Sequence, residues 1–317
     1  MPEPVADPVH APPQRVAGVC AVVVTHRPDA LLLAPLLDAL VAQAESVVVV
    51  DNATPGTAVR DLCAARPSVE LLSLPENLGL ATALNAGVTR ARATPAITHV
   101  LLMDQDSEPE PGMLAVLKAA LDRLSRRARV AAVGPRFRDP REDADAPFVR
   151  IRFPFNRQLQ CTGDCDEVAC DFLITSGSLI PLAVLDAVGG MDDGLFIDNV
   201  DLEWCFRALG KGYALFGICG ARMRHHHGDE RQHVPGAPRG IIVHPPRRLF
   251  YMMRNRVLLY RRAYTPRRWI AQDVPRLLAK LLMFALLVPP RATNLRCMLA
   301  GLRAGIAGRT DPPPGPD

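Results

Sequence analysis

The chain has 317 residues, of which 49% are hydrophobic and 22% are charged, and its formal net charge at pH 7 is +4. This length and apolar share predict a real hydrophobic core, in one large α/β domain with an appendage or in two domains. So small a net charge excludes charge as a reason to expect a nucleic-acid partner, and none is predicted.

The eight cysteines are scattered along the chain without a dense framework. This usage indicates a reducing compartment, so a cytoplasmic protein with free thiols is predicted. Cys161, Cys165 and Cys170 form the one cluster, but no fourth ligand completes a normal zinc spacing. Buried free thiols are favoured at this cluster, and a structural metal is the alternative.

Both ends of the chain are rich in proline. Residues 1–17 lack the basic start and the apolar run of a signal peptide. We predict that residues 1–17 and 310–317 are disordered tails, so ordered structure is expected for residues 18–309.

Strands and helices alternate from residue 18 onwards, as in an α/β fold with a parallel sheet. The predicted strands are residues 18–25, 45–52 and 69–74, and the predicted helices are residues 30–44 and 57–65. Asp29 can cap the first of these helices. Asp51 ends the second strand, where it could accept a hydrogen bond from a base or a ribose, or could equally serve as a cap or turn residue.

The next informative stretch is ENLGLATALNAG, residues 76–87. Gly79 lets the backbone turn close to a ligand, and the helix predicted over residues 80–92 places Asn77 at its entrance and Asn85 inside it. The start of this helix could favour an anion such as a nucleotide phosphate. A simple cap followed by an Ala-rich packed helix is the alternative.

Residues 99–110, HVLLMDQDSEPE, combine a buried strand with two acids. The apolar run 100–103 predicts a strand of a parallel sheet, and Asp104 and Asp106 follow at its carboxyl end, where α/β sheets bind ligands. Two crowded carboxylates repel each other unless a cation lies between them, and oxygen ligands suit Mg²⁺ or Mn²⁺. A solvated turn is the alternative.

Small residues mark the middle of the chain. Residues 130–135 predict a further strand, and residues 148–153 and 168–174 could be strands as well. Ser176 and Gly177 offer a hydroxyl and a flexible backbone to a sugar or phosphate, although an ordinary Ser-Gly turn is equally compatible.

A helix predicted to begin near Asn199 carries two acids. Asp201 and Glu203 are two residues apart, so they cannot share one helix face. One carboxylate can therefore face a site while the other is structural. Trp204 and Arg207 are predicted to pack and pair behind that site.

A strand predicted over residues 212–218 is followed by His225, His226 and His227. Adjacent side chains point in different directions, so at most two of these histidines can reach one ion. A zinc site remains an alternative here.

The region beyond residue 246 interleaves arginines with apolar and aromatic residues. Such a helix near the site could hold a diphosphate or contact an anionic lipid surface. Residues 277–288 are apolar but too few to span a bilayer. A buried helix and a peripheral membrane contact are the two interpretations, and arginines on both sides of this segment favour the second.

The segments VVVTHRPD, VVVVDN, ENLGLATALNAG and HVLLMDQD, in this order, resemble the nucleotide-binding half of the family 2 glycosyltransferases. The resemblance continues through DFLITSGSLI, GGMDDGLFIDNVDLEWCFRALGKGY, RHHHGD and HPPRRLFYMMRNRVLLYRR, and so covers residues 18–262. FIDNVDLEWCFRA is most similar to bacterial rhamnosyltransferases that use dTDP-rhamnose, and galactofuranosyltransferases share much of it. The resemblance implies a GT-A fold, an α/β architecture in which helices flank a Rossmann-like mixed sheet.

This family resemblance also divides the chain. It implies a catalytic domain over residues 18–244, with a nucleotide-binding half (18–110) and an acceptor half (111–244), followed by basic and apolar helices over residues 245–309.

Roles for single residues follow from the same resemblance. The implied donor-binding residues are Thr25, Arg27, Asp51, Asn52, Asn77, Gly79, Asn85, Asp104 and Arg254. Asp104, Asp106 and His225 match the metal ligands, with His227 as the alternative to His225. Asp201 aligns with the general base, and Asp198 is the runner-up. The implied acceptor-side residues are Ser176, Gly177, Asp198 and Trp204. His26 departs from the aromatic residue common at its position, and Val200 replaces the first acid of the family's acidic pair.

The implied reaction is inverting, metal-dependent transfer of a sugar from a nucleotide-sugar donor, with Mg²⁺ or Mn²⁺ on the diphosphate. The implied donor is dTDP-rhamnose, and the acceptor is a saccharide or lipid-linked saccharide of the cell envelope. There are two alternatives: a UDP-sugar transferase such as a galactofuranosyltransferase, and a nucleotide-sugar-binding protein without turnover. A nucleotidyltransferase is disfavoured because THRPDALLLAP is not a Gly-rich basic loop. Contact with the inner face of the plasma membrane and a homo-oligomer are left open.

Overall fold

A computed structural model describes residues 15–142, 144–163, 165–225, 231–234, 237–311 and 313. Most of the two predicted tails lies outside the described residues. Within them, Val16 and Ala17 belong to the first strand, so order begins before residue 18. Thr310 and Asp311 accept hydrogen bonds from a buried arginine, so the predicted C-terminal tail is anchored at its start.

The first part of the chain builds a parallel sheet, as predicted. Its strands are β1 (Val16–Thr25), β2 (Ala44–Asp51), β3 (Val69–Ser73) and β4 (His99–Asp104). Its helices are α1 (Ala30–Gln43), α2 (Ala58–Ala64) and α3 (Gly79–Arg92). The strands lie in the order β3-β2-β1-β4, so their carboxyl ends share one edge. The Asp29 carboxylate accepts a hydrogen bond from the Leu31 amide and caps α1, which confirms that prediction.

The remaining elements extend this sheet. They are β5 (Ser107–Pro109), α4 (Met113–Ser125), β6 (Val130–Arg138), β7 (Phe148–Arg150), β8 (Arg157–Leu159), β9 (Glu167–Cys170), β10 (Ser178–Pro181), α5 (Leu182–Val188), α6 (Val200–Gly210), β11 (Ala214–His225), β12 (Arg231–Val234), β13 (Ala237–Ile242), α7 (Pro246–Tyr260), α8 (Arg267–Leu286) and α9 (Arg291–Ile306). The sheet continues beyond β4 as β10-β6-β11-β5, and β10 is antiparallel to both neighbours. The sheet is therefore mixed, with helices on both faces.

The burial of the β1 side chains shows why the strands in the first half of the chain could be predicted from the sequence. In β1, Val22 and Val24 pack on one face with α3, while Val19 and Val23 pack on the other face with α1 and α4. Because side chains alternate along a strand, a run of valines buried on both faces requires cover on both sides. The predicted buried strand is confirmed.

The strands that differ most from prediction are β9 and β11, while β6 runs three residues longer and β7 three residues shorter than predicted. β9 ends at Cys170 rather than at residue 174, and β11 continues to His225 rather than ending at residue 218. β11 can be this long because it changes partner: its first half pairs with β9 and its second half with β5. Such long-range pairings leave no local signal in the sequence.

Cys161 and Cys219 form a disulfide, with Cα atoms 5.6 Å apart. The prediction of free thiols is therefore wrong for this pair. The pairing of β9 with β11 brings the segment before β9 alongside β11, and the Cys219 amide donates to the Asp166 carbonyl there. Among the described residues the other six cysteines are free, and Cys165 is exposed rather than buried.

The C-terminal helices form a small core of their own. Leu249 and Met253 of α7 pack with Leu277 and Phe284 of α8 and with Met298 of α9. One face of α8 is thus buried, as expected if residues 277–288 belong to a helix that packs on the rest of the protein. No helix within the described ranges is both long and apolar enough to cross a membrane.

Candidate active site

A cleft of about 480 Å³ opens at the carboxyl ends of β1 and β4. The start of α3 and the segment from Phe196 to Asp201 form its other sides. Its polar or charged lining residues are His26, Asn52, Asn77, Asp104, Gln105, Asp106, Thr175, Asp198, Asn199, Asp201, His225 and Arg248. Among the predicted site residues, eight meet in this cleft: Asn52, Asn77, Gly79, Asp104, Asp106, Asp198, Asp201 and His225.

Strand register brings His225 to the two acids. β11 runs antiparallel to β5, and His225 lies opposite Ser107 in that ladder. Since Asp106 immediately precedes Ser107, its carboxylate reaches to 3.5 Å from His225 Nδ1. Ligand atoms of Asp104, Asp106 and His225 all lie within 4.8 Å of one another, as one ion would require. His227, the alternative ligand, lies outside the described residues.

Two buried hydroxyls support this cluster from behind. The Ser107 and Ser176 hydroxyl oxygens are 2.7 Å apart, and Ser107 Oγ lies 2.7 Å from His225 Nδ1. Ser176 Oγ also accepts a hydrogen bond from the Asp104 amide at 3.1 Å. A chain of hydrogen bonds therefore links the His225 imidazole to the backbone of Asp104 and orients the imidazole.

The electrostatics of the cluster fit a divalent cation. Burial, with a contribution from the neighbouring Asp106 charge, raises the pKa of Asp104 to about 7. The Arg248 guanidinium opposes that rise and lowers the pKa of Asp104. Two carboxylates and an imidazole form a donor set that suits Mn²⁺ or Mg²⁺, and a bound cation would favour the ionised form of Asp104.

An amide network fixes the entrance to α3. Asn52 Nδ2 donates to Asn77 Oδ1 at 2.9 Å, while Asn52 Oδ1 accepts from the Leu78 amide at 2.8 Å. The amides of Leu80 and Ala81 donate to the Phe196 carbonyl. The first amides of this helix are thus occupied by protein acceptors, so the helix start is not the open anion site that its sequence allowed. Gly79 is required here because its φ is +85° and a Cβ would lie 2.7 Å from the Phe196 carbonyl oxygen.

Three predicted donor residues lie beside the cleft. Thr25 Oγ1 and the Thr54 amide both donate to Asp51 Oδ1 at 3.2 Å. The Arg27 amide donates to Thr54 Oγ1 at 3.0 Å. Asp51 and Thr54 line a separate hollow of about 290 Å³ at the end of β2. Thr25, Arg27 and Asp51 therefore stand together, one strand away from the acids.

The opposite wall of the cleft has an unusual backbone. Phe196, Asp198 and Asn199 have φ values of 63°, 64° and 62°. Non-glycine residues rarely adopt this region, and such positions cluster at functional sites. The Asp198 carboxylate is held by the Arg248 guanidinium at 3.0 Å.

Asp201 follows this wall, in the first turn of α6. Burial, with smaller contributions from Asp104 and Asp198, raises the pKa of Asp201 to about 7. One of its carboxylate oxygens accepts from the Leu202 amide at 2.8 Å. Glu203, by contrast, is buried and forms an ion pair with Arg207 at 2.8 Å. This division agrees with the prediction that one acid faces the site and the other is structural.

The remaining predicted site residues lie elsewhere. The fully buried Arg254 donates to the carbonyls of Gly194, Leu195, Thr310 and Asp311, so its guanidinium is used within the fold and does not line the cleft. The Trp204 ring is buried and its Nε1 donates to the Gly189 carbonyl at 2.9 Å. Asn85 joins α3 to the Met191 backbone and to Asp193. In this structure Arg254, Trp204 and Asn85 make contacts within the fold, and their donor and acceptor roles stay predictions.

Ser176 and Gly177 belong to a turn, in which the Ser178 amide donates to the Thr175 carbonyl at 3.1 Å. Gly177 has a φ of +81°, and a Cβ there would lie 2.5 Å from Pro135. Ser176 is fully buried. The turn interpretation is therefore the one that the structure supports, with Ser176 supporting Asp104 rather than facing an acceptor.

Arg248 is the main lining residue that sequence reasoning did not single out. Pro245 precedes α7 and Pro246 begins it, which places Arg248 in the first turn of the helix. The Pro-Pro-Arg-Arg run could have indicated a helix start that carries arginines. Nothing in the sequence, however, distinguishes Arg248 from the other arginines of this region. Gln105, between the two acids, was missed as well; its side chain accepts from the His26 amide at 2.8 Å.

Comparison with known proteins identifies the family of this chain. Residues 20–179 match the family described as Glycosyl transferase family 2. The dTDP-rhamnosyl transferase RfbF of Shigella flexneri is 33% identical over 251 residues, which cover 79% of this chain and 82% of that protein. The chain belongs to glycosyltransferase family 2. The galactofuranosyltransferase GlfT1 of Mycolicibacterium smegmatis is 30% identical over 217 residues, covering 63% of this chain and 68% of that protein.

Two solved structures share the fold of this family 2 glycosyltransferase at 13% identity. GalNAc-T7 with UDP, GalNAc and Mn²⁺ has a TM-score of 0.54 and covers 67% of this chain, and TarS of S. aureus has a TM-score of 0.54 and covers 84%. This chain spans 44% of the length of each of them. The predicted GT-A fold and the predicted enzyme class are confirmed.

Proposed function

We propose that this family 2 glycosyltransferase transfers rhamnose from dTDP-rhamnose to a saccharide or lipid-linked saccharide acceptor, with inversion at the anomeric carbon. The observation that carries the proposal is the convergence of Asp104, Asp106, His225 and Asp201 on one cleft of a chain that is 33% identical to a dTDP-rhamnosyl transferase. A cytoplasmic reaction is part of the proposal: six of the described cysteines are free thiols, whereas Cys161 and Cys219 form a disulfide.

The donor end of the cleft would hold a divalent cation. Asp104, Asp106 and His225 are its proposed ligands. When bound, Mg²⁺ or Mn²⁺ supplies positive charge to the leaving nucleoside diphosphate. Arg248, which lines the same cleft, adds a fixed cation that can pair with a phosphate oxygen. The hollow beside Asp51 and Thr54 is the proposed site for the base or ribose.

The acceptor end would be served by Asp201. A general base must be ionised at the operating pH and must bind a proton well enough to remove it, so a pKa near 7 is favourable. The pKa of Asp201, raised by burial to about 7, meets both conditions. Asp198 is less suited because the Arg248 guanidinium holds its carboxylate in an ion pair. We therefore assign proton abstraction from the acceptor hydroxyl to Asp201 and a positioning role to Asp198.

One experiment tests the identity of the nucleotide-sugar donor. Titration calorimetry with dTDP-rhamnose and with UDP-sugars, each with and without Mn²⁺, should show binding of the dTDP sugar that the metal strengthens. Binding of UDP-sugars with no measurable binding of dTDP-rhamnose would move the assignment to a galactofuranosyltransferase, a candidate that the 30% identity to GlfT1 also supports. Binding without any turnover of donor would instead indicate a nucleotide-sugar-binding protein.

A further inference from the structure

The charge of this chain is divided unevenly. Residues 245–310 contain fourteen Arg and Lys residues and one acid, Asp273, so the rest of the chain has a net charge of −9 although the whole is +4. Asp273 is buried, accepts a hydrogen bond from Tyr260 and lies 3.7 Å from Arg256. The C-terminal helices therefore present a strongly positive surface.

An apolar stripe runs along the outside of α8. Leu277 and Phe284 face the small core, whereas Val274, Leu278, Leu282 and Leu286 recur every fourth residue on another face of the helix. These four side chains are 38%, 53%, 59% and 63% exposed. Residues at this spacing share one side of an α-helix, so the stripe is continuous over its last three to four turns.

Further exposed apolar and basic side chains lie on α8 or on a loop that is hydrogen-bonded to it. Phe153 and Phe155 are 66% and 79% exposed, and the loop that carries them is joined to α8 by a hydrogen bond from the Gln272 side chain to the Arg152 carbonyl. Arg267 and Arg268, in the first turn of α8, are exposed and lie on the helix side that carries the stripe. Leucines and phenylalanines next to exposed arginines are the composition of a helix that lies in a lipid interface.

We propose that the α8 stripe docks on an anionic phospholipid surface, with the helix parallel to the membrane plane. A second copy of the chain is the less favourable occupant, because two copies joined through this stripe would bring two strongly positive surfaces together. An anionic bilayer attracts the arginines and accepts the leucines and phenylalanines at once. No described helix can span the bilayer, so the contact is a peripheral one.

The packing of α8 on α7 connects the proposed docking surface to the cleft. α8 packs on α7 through Leu249 and Met253, and the first turn of α7 carries Arg248 into the cleft. Docking through α8 would hold the enzyme where an acceptor carried on a lipid is found. The docking itself does not depend on which nucleotide sugar is the donor, so its failure would leave the proposed function standing.

Flotation of the purified full chain with vesicles tests the proposal. The wild type should float with vesicles of phosphatidylcholine mixed with phosphatidylglycerol, should bind pure phosphatidylcholine weakly, and should be released by high salt. The double variant Leu278→Gln/Leu282→Gln should lose at least about tenfold in binding because two apolar side chains no longer enter the lipid. The double variant Arg267→Gln/Arg268→Gln should lose about fivefold for each charge.

Leu31→Gln is the matched control, since Leu31 is an apolar side chain of α1 that is 83% exposed and lies outside this surface. All variants should keep the wild-type melting temperature and donor hydrolysis, which separates loss of docking from misfolding. Equal vesicle binding by wild type and the leucine variant overturns the proposal, and so does a wild type that binds no vesicles. A wild-type dimer in the ultracentrifuge that the leucine variant converts to monomer would assign the stripe to self-association instead.

Discussion

One wall of the cleft is built from strand ends, whereas the opposite wall belongs to residues 193–201, a short 3-10 turn, a loop and the start of α6. This segment is held by a distant helix. Asp104 and Asn52 stand at the carboxyl ends of β4 and β2, the two strands that pair with β1, so the sheet itself places them. The opposite segment has no β-strand to hold its residues in place. Its carbonyls are held by Arg254 and by Asn255, which donates to Leu195, Ile197 and Asp198.

This difference separates two kinds of functional residue. The strand-end carboxylates Asp104 and Asp106 can be changed without loosening the fold, because the sheet ladder does not use their side chains. The loop depends on buried hydrogen bonds that come from α7 across more than fifty residues of sequence, so its shape and the stability of the fold are coupled. Variants on the two walls should therefore differ in whether activity and stability change together.

The largest effect is expected at Asp201. Asp201→Asn keeps the size and hydrogen-bonding capacity of the side chain but removes its basicity, so kcat should fall by about 10²–10⁴-fold with donor affinity nearly unchanged. Steady-state kinetics together with donor calorimetry measure the two quantities. Asp198→Asn should be milder; if it abolishes turnover and Asp201→Asn does not, the two roles must be exchanged.

On the strand-end wall, Asp106→Asn should lower kcat/KM by at least about 10²-fold and weaken the Mn²⁺ dependence of donor binding, since one of three proposed ligands is lost. Its melting temperature should not fall, because the change also removes repulsion between Asp104 and Asp106. Asp122→Asn, at an exposed acid on α4, is the control. Full activity with full Mn²⁺ dependence would show that the metal site is misplaced.

In the helix that holds the opposite wall, Arg254→Ala should lower the free energy of unfolding by about 3 kcal/mol, since the buried guanidinium donates to four backbone carbonyls and all four lose this charged donor. Urea unfolding measures this loss, and kcat should decrease in the same variant. Arg303→Ala, an exposed arginine of α9, should change stability by less than about 0.5 kcal/mol. Weaker donor binding with unchanged stability would instead return Arg254 to the donor site.

The smallest effect is a pH-dependent change in stability. Because the pKa of Asp201 is about 7 in the folded chain and ordinary in the unfolded chain, the folded state binds this proton more tightly. Stability contributed by the protonated group is present at pH 4 and is lost as the pH rises through 7. Asp201→Asn should therefore be more stable than wild type at pH 8 and similar to it near pH 4 in thermal melts without metal. Wild-type kcat should fall as the pH drops below about 7.

The sequence by itself determined the sheet of the nucleotide half, the acids at the end of β4 and the different duties of Asp201 and Glu203. Each of these follows from a local pattern: apolar runs that end in polar residues, or two acids on different faces of one helix turn. The buried strand β1 and the cap at Asp29 were readable for the same reason.

Only the tertiary structure decided which residues from distant segments meet. The β5–β11 register brings His225 to Asp106, α7 directs Arg248 into the cleft while Arg254 is used to hold the loop, and β9 beside β11 lets Cys161 bond to Cys219. Nothing local distinguishes Arg248 from Arg254, since both are arginines on one amphipathic helix. Their functions diverge because Arg248 lies in the half-buried first turn and Arg254 in the buried middle of the helix, a difference that packing creates.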